Sequence, residues 1–564
     1  MHRPGMPSYV HGACDEPLIG DTIGNRFDHI VRELAEREAL VVPYQNIRWT
    51  YLEFAKRVNS FAAGLVALGL KSGDRIGIWS PNNSEWAVTQ FAAAKIGLIL
   101  VTINPAYRVQ DAEYALNTVQ CKALVLATSH KTSNYIAVLN ELAPELLHAK
   151  PGELTSSRLP HLKIVIQIGG AAPGTIAFDR VHNLGSARDV QEYESIAQKL
   201  NFDDAINIQF TSGTTGAPKG ATLTHHNILN NAYFIGRAMR ITKQDRICVP
   251  VPLYHCFGMV AGNLMAMLYG ATVIYPSEAF DPFAVLKTVD QEKCTALYGV
   301  PTMFIAELEH PEFDRFDLST LRTGIMAGSP CPIELMRRII ERMYLREMTI
   351  GYGMTETSPL SFQSSTDDPI ELRVSTVGRA HPHVEVKIAD RDGAVAPRGT
   401  PGELMVRGYS VMQQYWGDRA KTAETIDASG WLHTGDLATI DPNGYCNIVG
   451  RLKDMVIRGG ENIYPREIEE LLFTLPAVES VQVFGVPDDK FGEELCAWIK
   501  LRDGAATTAE DIQNYCRARL AHFKVPRYVR FVQQYPMTVT GKIRKFEMRQ
   551  TMCTELGLKE VRTA

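Results

Sequence analysis

The apolar positions in the first half of the chain form short segments that alternate with amphipathic ones. Residues 74–80, 98–104 and 121–127 predict strands, with helices over 85–97 and 108–120 between them. The same order of strand, helix, strand, helix and strand is predicted again over 246–252, 259–270, 271–276, 281–293 and 295–301. Such alternation implies parallel sheets covered on both faces, so we expect two related βαβ-type subdomains whose ligands lie at the carboxyl ends of strands.

The pattern changes in the last third of the chain. From Thr376 onward, short strands separated by glycine and proline predict a small β-barrel-like subdomain. After Gly450 a compact unit of about one hundred residues follows, a common size for a small domain. We therefore predict an α/β fold with a large N-terminal domain over 1–450, a hinge over 451–454 and a small, mobile α+β C-terminal domain over 455–564.

One long uncharged stretch needs a decision between a membrane span and protein core. No Asp, Glu, Lys or Arg occurs between Arg246 and Glu278. Prolines and glycines divide this stretch into pieces too short for about 30 Å of hydrocarbon. We interpret it as buried core and expect no transmembrane segment, although peripheral contact with a membrane stays open.

Composition narrows the class of protein further. The net charge of −5 in 564 residues argues against a nucleic-acid partner and against a polybasic membrane anchor. The ten cysteines form no C-x-x-C pair, which favours reduced thiols over a zinc site or a disulfide framework. The first residues lack the apolar run of an export signal, so we expect a cytoplasmic enzyme-sized protein.

The segment 211–220, TSGTTGAPKG, is the first candidate for chemistry. It differs from a P-loop because Pro218 and Gly220 replace the second glycine and the hydroxyl residue. Strands are predicted on both sides, and the next helix begins only near Thr224. Its glycines, hydroxyls and Lys219 could surround a phosphate, and a polar surface turn is the alternative.

Four further motifs decide between these interpretations. They are GYGMTET at 351–357, WLHTGDL at 431–437, GRLKDMVIRGGENIYPREIE at 450–469 and PMTVTGKIRK at 536–545. With these motifs and TSGTTGAPKG, the chain resembles the adenylate-forming (AMP-binding) superfamily, over nearly its full length and with the motifs in the family's order. Within it the chain looks most like fatty acyl-CoA synthetases, in particular the medium-chain ones.

The resemblance implies a ligase that uses ATP, Mg²⁺ and coenzyme A. Such enzymes join a carboxylic acid to AMP, release pyrophosphate and pass the acyl group to the CoA thiol. We expect a fatty acid of medium to long chain as the substrate. An adenylation enzyme that loads a carrier protein in trans, or a CoA ligase for aryl or branched acids, is the alternative, and a homodimer stays open.

The resemblance also assigns roles to residues. Lys542 is implied to neutralise the carboxylate and α-phosphate as they meet, Glu356 to bind Mg²⁺, and His255 to lie beside the acyl carboxylate. Exposed lysines, acids in turns and core histidines are the ordinary alternatives. The implied nucleotide contacts are Thr211, Ser212, Gly213, Thr214, Thr215, Gly216, Lys219, Gly351, Tyr352, Thr355, Asp436, Arg451 and Lys542, with Thr355 also counted as catalytic.

The resemblance gives three of these contacts a specific partner. Tyr352 is implied to face adenine, with an ordinary core tyrosine as the alternative. Asp436 and Arg451 are implied to hydrogen-bond the ribose, and membership of a surface ion pair is the alternative for each.

The last implied roles concern the second half of the reaction. Gly459 and Gly460 are expected to border the pantetheine tunnel, because glycine lets a thin ligand pass close to the backbone. Lys453 falls at the superfamily's hinge position, where a few backbone angles absorb the rotation of the C-terminal domain.

Overall fold

The computed structural model describes residues 6–211, 218–329, 331–459, 461–537 and 543–558, except the side chain at 462. They fall into two compact units. The larger comprises His11–Glu385 and Val406–Leu432, and the smaller comprises Met1–Val10, Val386–Met405 and His433–Ala564. These units are defined by packing, whereas the predicted boundary at 451–454 is a point of rotation. The predicted domain boundary and hinge therefore stay predictions.

The first sheet of the larger unit is eight-stranded and contains the first predicted run. Its three predicted strands are present and parallel, with Arg75–Trp79 between the other two. The order across the sheet is Ile176–Ala177, Ile164–Ile168, Ala123–Ala127, Arg75–Trp79, Ile99–Thr102, Ala205–Thr211, Lys219–Thr224 and Gln414–Tyr415. A separate small ribbon pairs Ser129–His130 with Ser133–Asn134.

The second sheet of this unit is nine-stranded and contains the second predicted run. Its three predicted strands are again parallel, with Arg246–Cys248 in the middle. The order is Arg379–Ala380, Leu360–Gln363, Glu347–Gly353, Thr323–Ala327, Ala296–Gly299, Arg246–Cys248, Thr272–Ile274, Glu38–Val42 and Ile47–Thr50. The prediction of two parallel-stranded subdomains is therefore confirmed.

Helices cover both sheets of the larger unit. The α-helices within the described residues are Ile23–Leu34, Tyr51–Ala67, Ser84–Lys95, Val109–Thr118, Tyr135–Leu142, Phe178–Val181, Ala187–Ala197, His225–Ala238, Met265–Tyr269, Pro282–Glu292, Pro301–Leu308, Ile333–Arg342, Ile370–Ser375 and Arg419–Thr425. The short 3₁₀ turns are Pro43–Gln45, Pro144–His148, Phe313–Arg315 and Thr355–Thr357.

The uncharged stretch forms core elements, as the sequence predicts. It contributes two short strands and a helix, and most of its apolar side chains are buried. The helix differs from the prediction in kind, because Phe257–Leu264 is a π-helix that continues as the α-helix Met265–Tyr269. Within the described part of the chain, no helix is both long enough and apolar enough to cross a bilayer.

The smaller unit contains most of a five-stranded sheet and a separate C-terminal sheet. The first has the order Tyr9–His11, Val384–Ala389, Gly402–Gly408, Leu432–Ile440 and Cys446–Arg451. The second has the order Glu461–Ile463, Val456–Arg458, Gly492–Leu501 and Val478–Asp488, with Tyr528–Phe531 beside Gly492–Leu501. Its helices are Pro465–Phe473, Ala509–Arg517 and Lys545–Leu556, with a 3₁₀ turn at His522–Lys524.

Candidate active site

The loop of the first motif joins two antiparallel strands, as the sequence predicts. Ala205–Thr211 pairs with Lys219–Thr224, and Thr211 lies opposite Lys219 in the register. The next helix begins after Thr224, whose side chain accepts a hydrogen bond from the Asn227 N–H. The predicted contacts Ser212, Gly213, Thr214, Thr215 and Gly216 lie outside the described residues.

The second motif ends a strand and places a buried carboxylate beyond it. Gly351 and Tyr352 lie on the strand Glu347–Gly353, and Thr355 begins the 3₁₀ turn that contains Glu356. Glu356 is only 5% exposed, and the Tyr415 phenol donates a hydrogen bond to its Oε1 at 2.8 Å. A buried carboxylate in this setting is held in a defined orientation.

The second glycine of GYGMTET, Gly353, is required for steric reasons. A Cβ atom on Gly353 would lie 1.9 Å from the Pro359 carbonyl oxygen, closer than any side chain can approach. The neighbouring Tyr352 ring meets the Phe362 ring edge to face at 6.1 Å between centroids. Tyr352 is half-buried, so part of its surface stays accessible for the predicted adenine contact.

Tyr415 connects the first motif to the second. The Lys219 Nζ lies 4.9 Å from the Tyr415 ring centroid, and the backbone of Tyr415 pairs with Ala221. Burial, and then the Glu356 charge, raise the pKa of the Tyr415 phenol, which therefore stays a donor. The sequence does not reveal this residue, because a single tyrosine in the segment 413–418 carries no motif signal.

The region after the strand Arg246–Cys248 contains the predicted His255. His255 is half-buried, and its ring lies 4.1 Å from the Tyr254 ring between centroids. The next residue, Cys256, is buried, and burial followed by the Glu356 charge raises the pKa of its thiol. The thiol is therefore a neutral neighbour of the Glu356 carboxylate and no nucleophile.

Asp436 and Arg451 lie together in the smaller unit. They face each other on the paired strands Leu432–Ile440 and Cys446–Arg451. The Arg451 Nε lies 3.2 Å from the Asp436 Oδ1, and the Asp436 side chain is much less exposed, 13% against 54%. The two predicted ribose contacts are thus adjacent, and they also form the ion pair that was the alternative interpretation.

The residues predicted to border the CoA tunnel lie at a tight turn. Gly459 has φ of +59° and donates its N–H to the Phe491 carbonyl at 2.8 Å. The preceding Arg458 lies over the Phe491 ring at 4.4 Å and pairs with the buried Glu494 at 2.7 Å. Gly460 and the predicted catalytic Lys542 lie outside the described residues.

The predicted hinge residue, Lys453, lies two positions after Arg451 in the chain. Lys453 is exposed, in a turn between the strands Cys446–Arg451 and Val456–Arg458. The Asp454 and Met455 N–H groups both donate to the Arg451 carbonyl. Its role as a hinge stays a prediction.

The donor set fits a magnesium ion that is mainly held by substrate. Within the described residues no group of three His, Cys, Asp or Glu side chains could hold a metal by itself. Mg²⁺ commonly uses one or two protein carboxylates together with substrate phosphates and water. Glu356, with one oxygen hydrogen-bonded to Tyr415, suits that arrangement.

A substitution of Asp436 tests its predicted ribose contact. We expect Asp436→Asn to raise the KM for ATP about tenfold, because a hydrogen bond to a charged group contributes roughly 1.5–3 kcal/mol. The KM for CoA should stay unchanged. Steady-state kinetics with each substrate varied in turn measure both, with Glu479→Gln, which breaks the Lys500 ion pair, as the matched control. An equal rise of both constants would contradict the assignment.

The fold and the site define an enzyme of the adenylate-forming class. The profile of the AMP-binding enzyme family matches residues 27–416, and that of the AMP-binding enzyme C-terminal domain matches 467–542. The chain therefore belongs to the AMP-binding enzyme family, and the predicted family and fold class are confirmed.

Several proteins are similar to this chain over nearly their full length. The chain is 50% identical to the mitochondrial medium-chain acyl-CoA ligase ACSF2 of Danio rerio, over 98% of this chain and 93% of that protein. It is also 50% identical to the putative acyl-CoA synthetase YngI of Bacillus subtilis, over 94% and 97%. The ATP-bound crystal structure of MatB from Rhodopseudomonas palustris has a TM-score of 0.81 and 28% identity, over 95% of this chain and all of that one.

Proposed function

We propose that the chain is an AMP-forming ligase that joins a fatty acid of medium to long chain to coenzyme A. The observation that carries this proposal is the meeting of two motifs at Tyr415. Its phenol donates to Glu356 at 2.8 Å, and its ring lies 4.9 Å from the Lys219 amine. A cation and a buried carboxylate are thereby placed in one neighbourhood, as the binding of a magnesium nucleotide requires.

In the first half-reaction, the acid carboxylate attacks the α-phosphorus of ATP. A phosphorus–oxygen bond forms to the carboxylate, the bond to the β-phosphate bridging oxygen breaks, and pyrophosphate leaves. The loop after Thr211, together with Lys219, holds the departing phosphates, Asp436 and Arg451 bind the ribose, and Tyr352 contacts adenine. Lys542 neutralises charge where the two anions meet.

Glu356 would hold a magnesium ion bound to the nucleotide. When bound, this ion neutralises phosphate charge. Thr355, next to Glu356 in the same turn, supplies a hydroxyl near the same phosphates. The half-buried position of Thr355 leaves it accessible from one side.

In the second half-reaction, the CoA sulfur attacks the acyl carbon of the adenylate. A carbon–sulfur bond forms, AMP leaves, and the thiol proton goes to solvent. Gly459 and Gly460 border the path of the pantetheine arm, and His255 lies beside the acyl group. Rotation of the C-terminal domain at Lys453 switches the enzyme from the first half-reaction to the second.

A panel of acids and acceptors tests the proposal. We expect pyrophosphate release with straight-chain acids of about 8 to 14 carbons to exceed that with aryl or branched acids at least tenfold, a difference of 1.4 kcal/mol. Free CoA should accept the acyl group. A preference for aryl or branched acids, or for a phosphopantetheinylated carrier protein over CoA, would contradict it. The cytoplasmic location stays a prediction, and the ACSF2 relatives are named mitochondrial. Pairing as a homodimer stays open.

A further inference from the structure

The segment around Tyr415 is fixed to both nucleotide motifs by backbone hydrogen bonds. The Met412 N–H donates to the Glu356 carbonyl at 2.8 Å, and the Trp416 N–H donates to the Gly220 carbonyl at 2.8 Å. The Tyr415 N–H donates to the Thr422 hydroxyl at 3.0 Å. The position of the Tyr415 ring is therefore set by the strand that carries Lys219 and by the turn that carries Glu356.

We propose that Tyr415 is a positioning residue of the nucleotide site, which orients the Glu356 carboxylate toward the magnesium ion and holds the Lys219 amine toward the phosphates. This inference rests on the proposed function and deepens it. Tyr415 itself is not required to touch substrate. It acts through the two side chains on either side of its ring.

The phenol gives the Glu356 carboxylate a preferred rotation. A single O–H donor satisfies Oε1 and leaves Oε2 with its lone pairs for another partner. Groups that hydrogen-bond a metal-binding carboxylate orient it, and their loss typically weakens metal binding 10- to 100-fold. The phenol therefore suits the orientation of a metal ligand.

The ring gives the Lys219 amine a preferred direction. An ammonium group within about 6 Å of a tyrosine ring centroid is attracted by the ring's negative face. The Lys219 Nζ lies 4.9 Å from that centroid, and Lys219 is the first residue of the strand that follows the predicted phosphate loop. The ring thus attracts the positive charge at the beginning of the strand Lys219–Thr224.

The proposed role of the hydrogen bond from the Tyr415 phenol to Glu356 is tested with Tyr415→Phe, which keeps the ring and removes the donor. We expect the affinity for Mn²⁺, titrated with a non-hydrolysable ATP analogue and followed by electron paramagnetic resonance, to fall about tenfold. The Mg²⁺ concentration for half-maximal adenylation should rise by the same factor. Transfer from supplied acyl-AMP to CoA should stay unchanged.

A matched control separates positioning from general packing. Tyr409 is another buried tyrosine of the same unit, and its hydroxyl accepts from the Asn231 side chain instead of contacting Glu356. Tyr409→Phe should leave Mn²⁺ affinity unchanged. An equal fall in Mn²⁺ affinity in both variants, or no fall in Tyr415→Phe, would overturn the proposed role of the phenol.

The proposed contact between the Tyr415 ring and the Lys219 amine is tested with little change of shape. Replacing Tyr415 by 3,5-difluorotyrosine weakens the negative face of the ring and keeps the hydroxyl, so the protein should fold normally. We expect the KM for ATP to rise about threefold while Mn²⁺ affinity does not fall. An unchanged KM for ATP would overturn the proposed role of the ring. Wild-type enzyme that releases no pyrophosphate with any fatty acid would instead refute the proposed function.

Discussion

Lys542→Ala is expected to lower the rate of acyl-adenylate formation several hundredfold, because one oriented donor to a developing charge contributes about 3–4 kcal/mol. The carboxylate and the α-phosphate repel each other until a positive group lies between them. The predicted hinge precedes Lys542 in the chain, so rotation of the C-terminal domain would carry this lysine away after the first step. Transfer from supplied acyl-AMP to CoA should therefore change less than about twofold.

The two half-reactions can be measured separately on the same variant. Pyrophosphate release without CoA reports the first, and acyl-CoA formation from synthetic acyl-AMP reports the second. Lys524→Ala is the matched control, because Lys524 lies in the same part of the chain and pairs with Glu467 on the surface. An equal loss in both half-reactions would contradict the assignment of Lys542 to the first step.

Acid is expected to destabilise the larger unit through two buried histidines. His225 and His381 are almost completely buried, and burial lowers the pKa of each from 6.5 to about 3. Both stay neutral in the folded state while the unfolded chain binds protons below pH 6.5. Stability is therefore lost as pH falls from about 6.5 toward 3, by about 2 kcal/mol per histidine at pH 5.

The variant His381→Gln isolates one of these contributions. The His381 Nε2 lies 3.1 Å from the Gln363 Oε1, so a glutamine can keep a polar contact there. We expect the unfolding free energy of His381→Gln, measured relative to wild type by urea denaturation, to improve by about 2 kcal/mol between pH 7.5 and pH 5. The control is His161→Gln, at an exposed histidine of the same unit. A difference from wild type that does not change with pH would contradict the buried neutral state.

Local patterns predicted most elements, and long-range pairings were outside their reach. The two alternating runs gave the right strands, because a strand buried on both faces shows as an apolar segment wherever it pairs. The strand Glu38–Val42 joins the nine-stranded sheet beside Thr272–Ile274, more than 200 residues later in the chain. Nothing in a local pattern encodes that partner. The π-helix Phe257–Leu264 was predicted only as a helix, because its apolar residues suit either form.

The candidate site divides in the same way. Glu356, Asp436 and Arg451 lie in motifs and could be named from the resemblance. Tyr415 could not, since its role depends on a contact with Glu356 across 59 positions. A single tyrosine in the segment QQYWGD looks the same whether it faces water or a buried carboxylate.

The formation of an acyl-adenylate tests the central claim most directly. The enzyme would be incubated with decanoate, ATP and Mg²⁺ in a single turnover, quenched, and examined by mass spectrometry before and after addition of CoA. We predict decanoyl-AMP and pyrophosphate first, and decanoyl-CoA and AMP after CoA is added. Formation of ADP and phosphate, or of decanoyl-CoA with no preceding adenylate, would contradict the account.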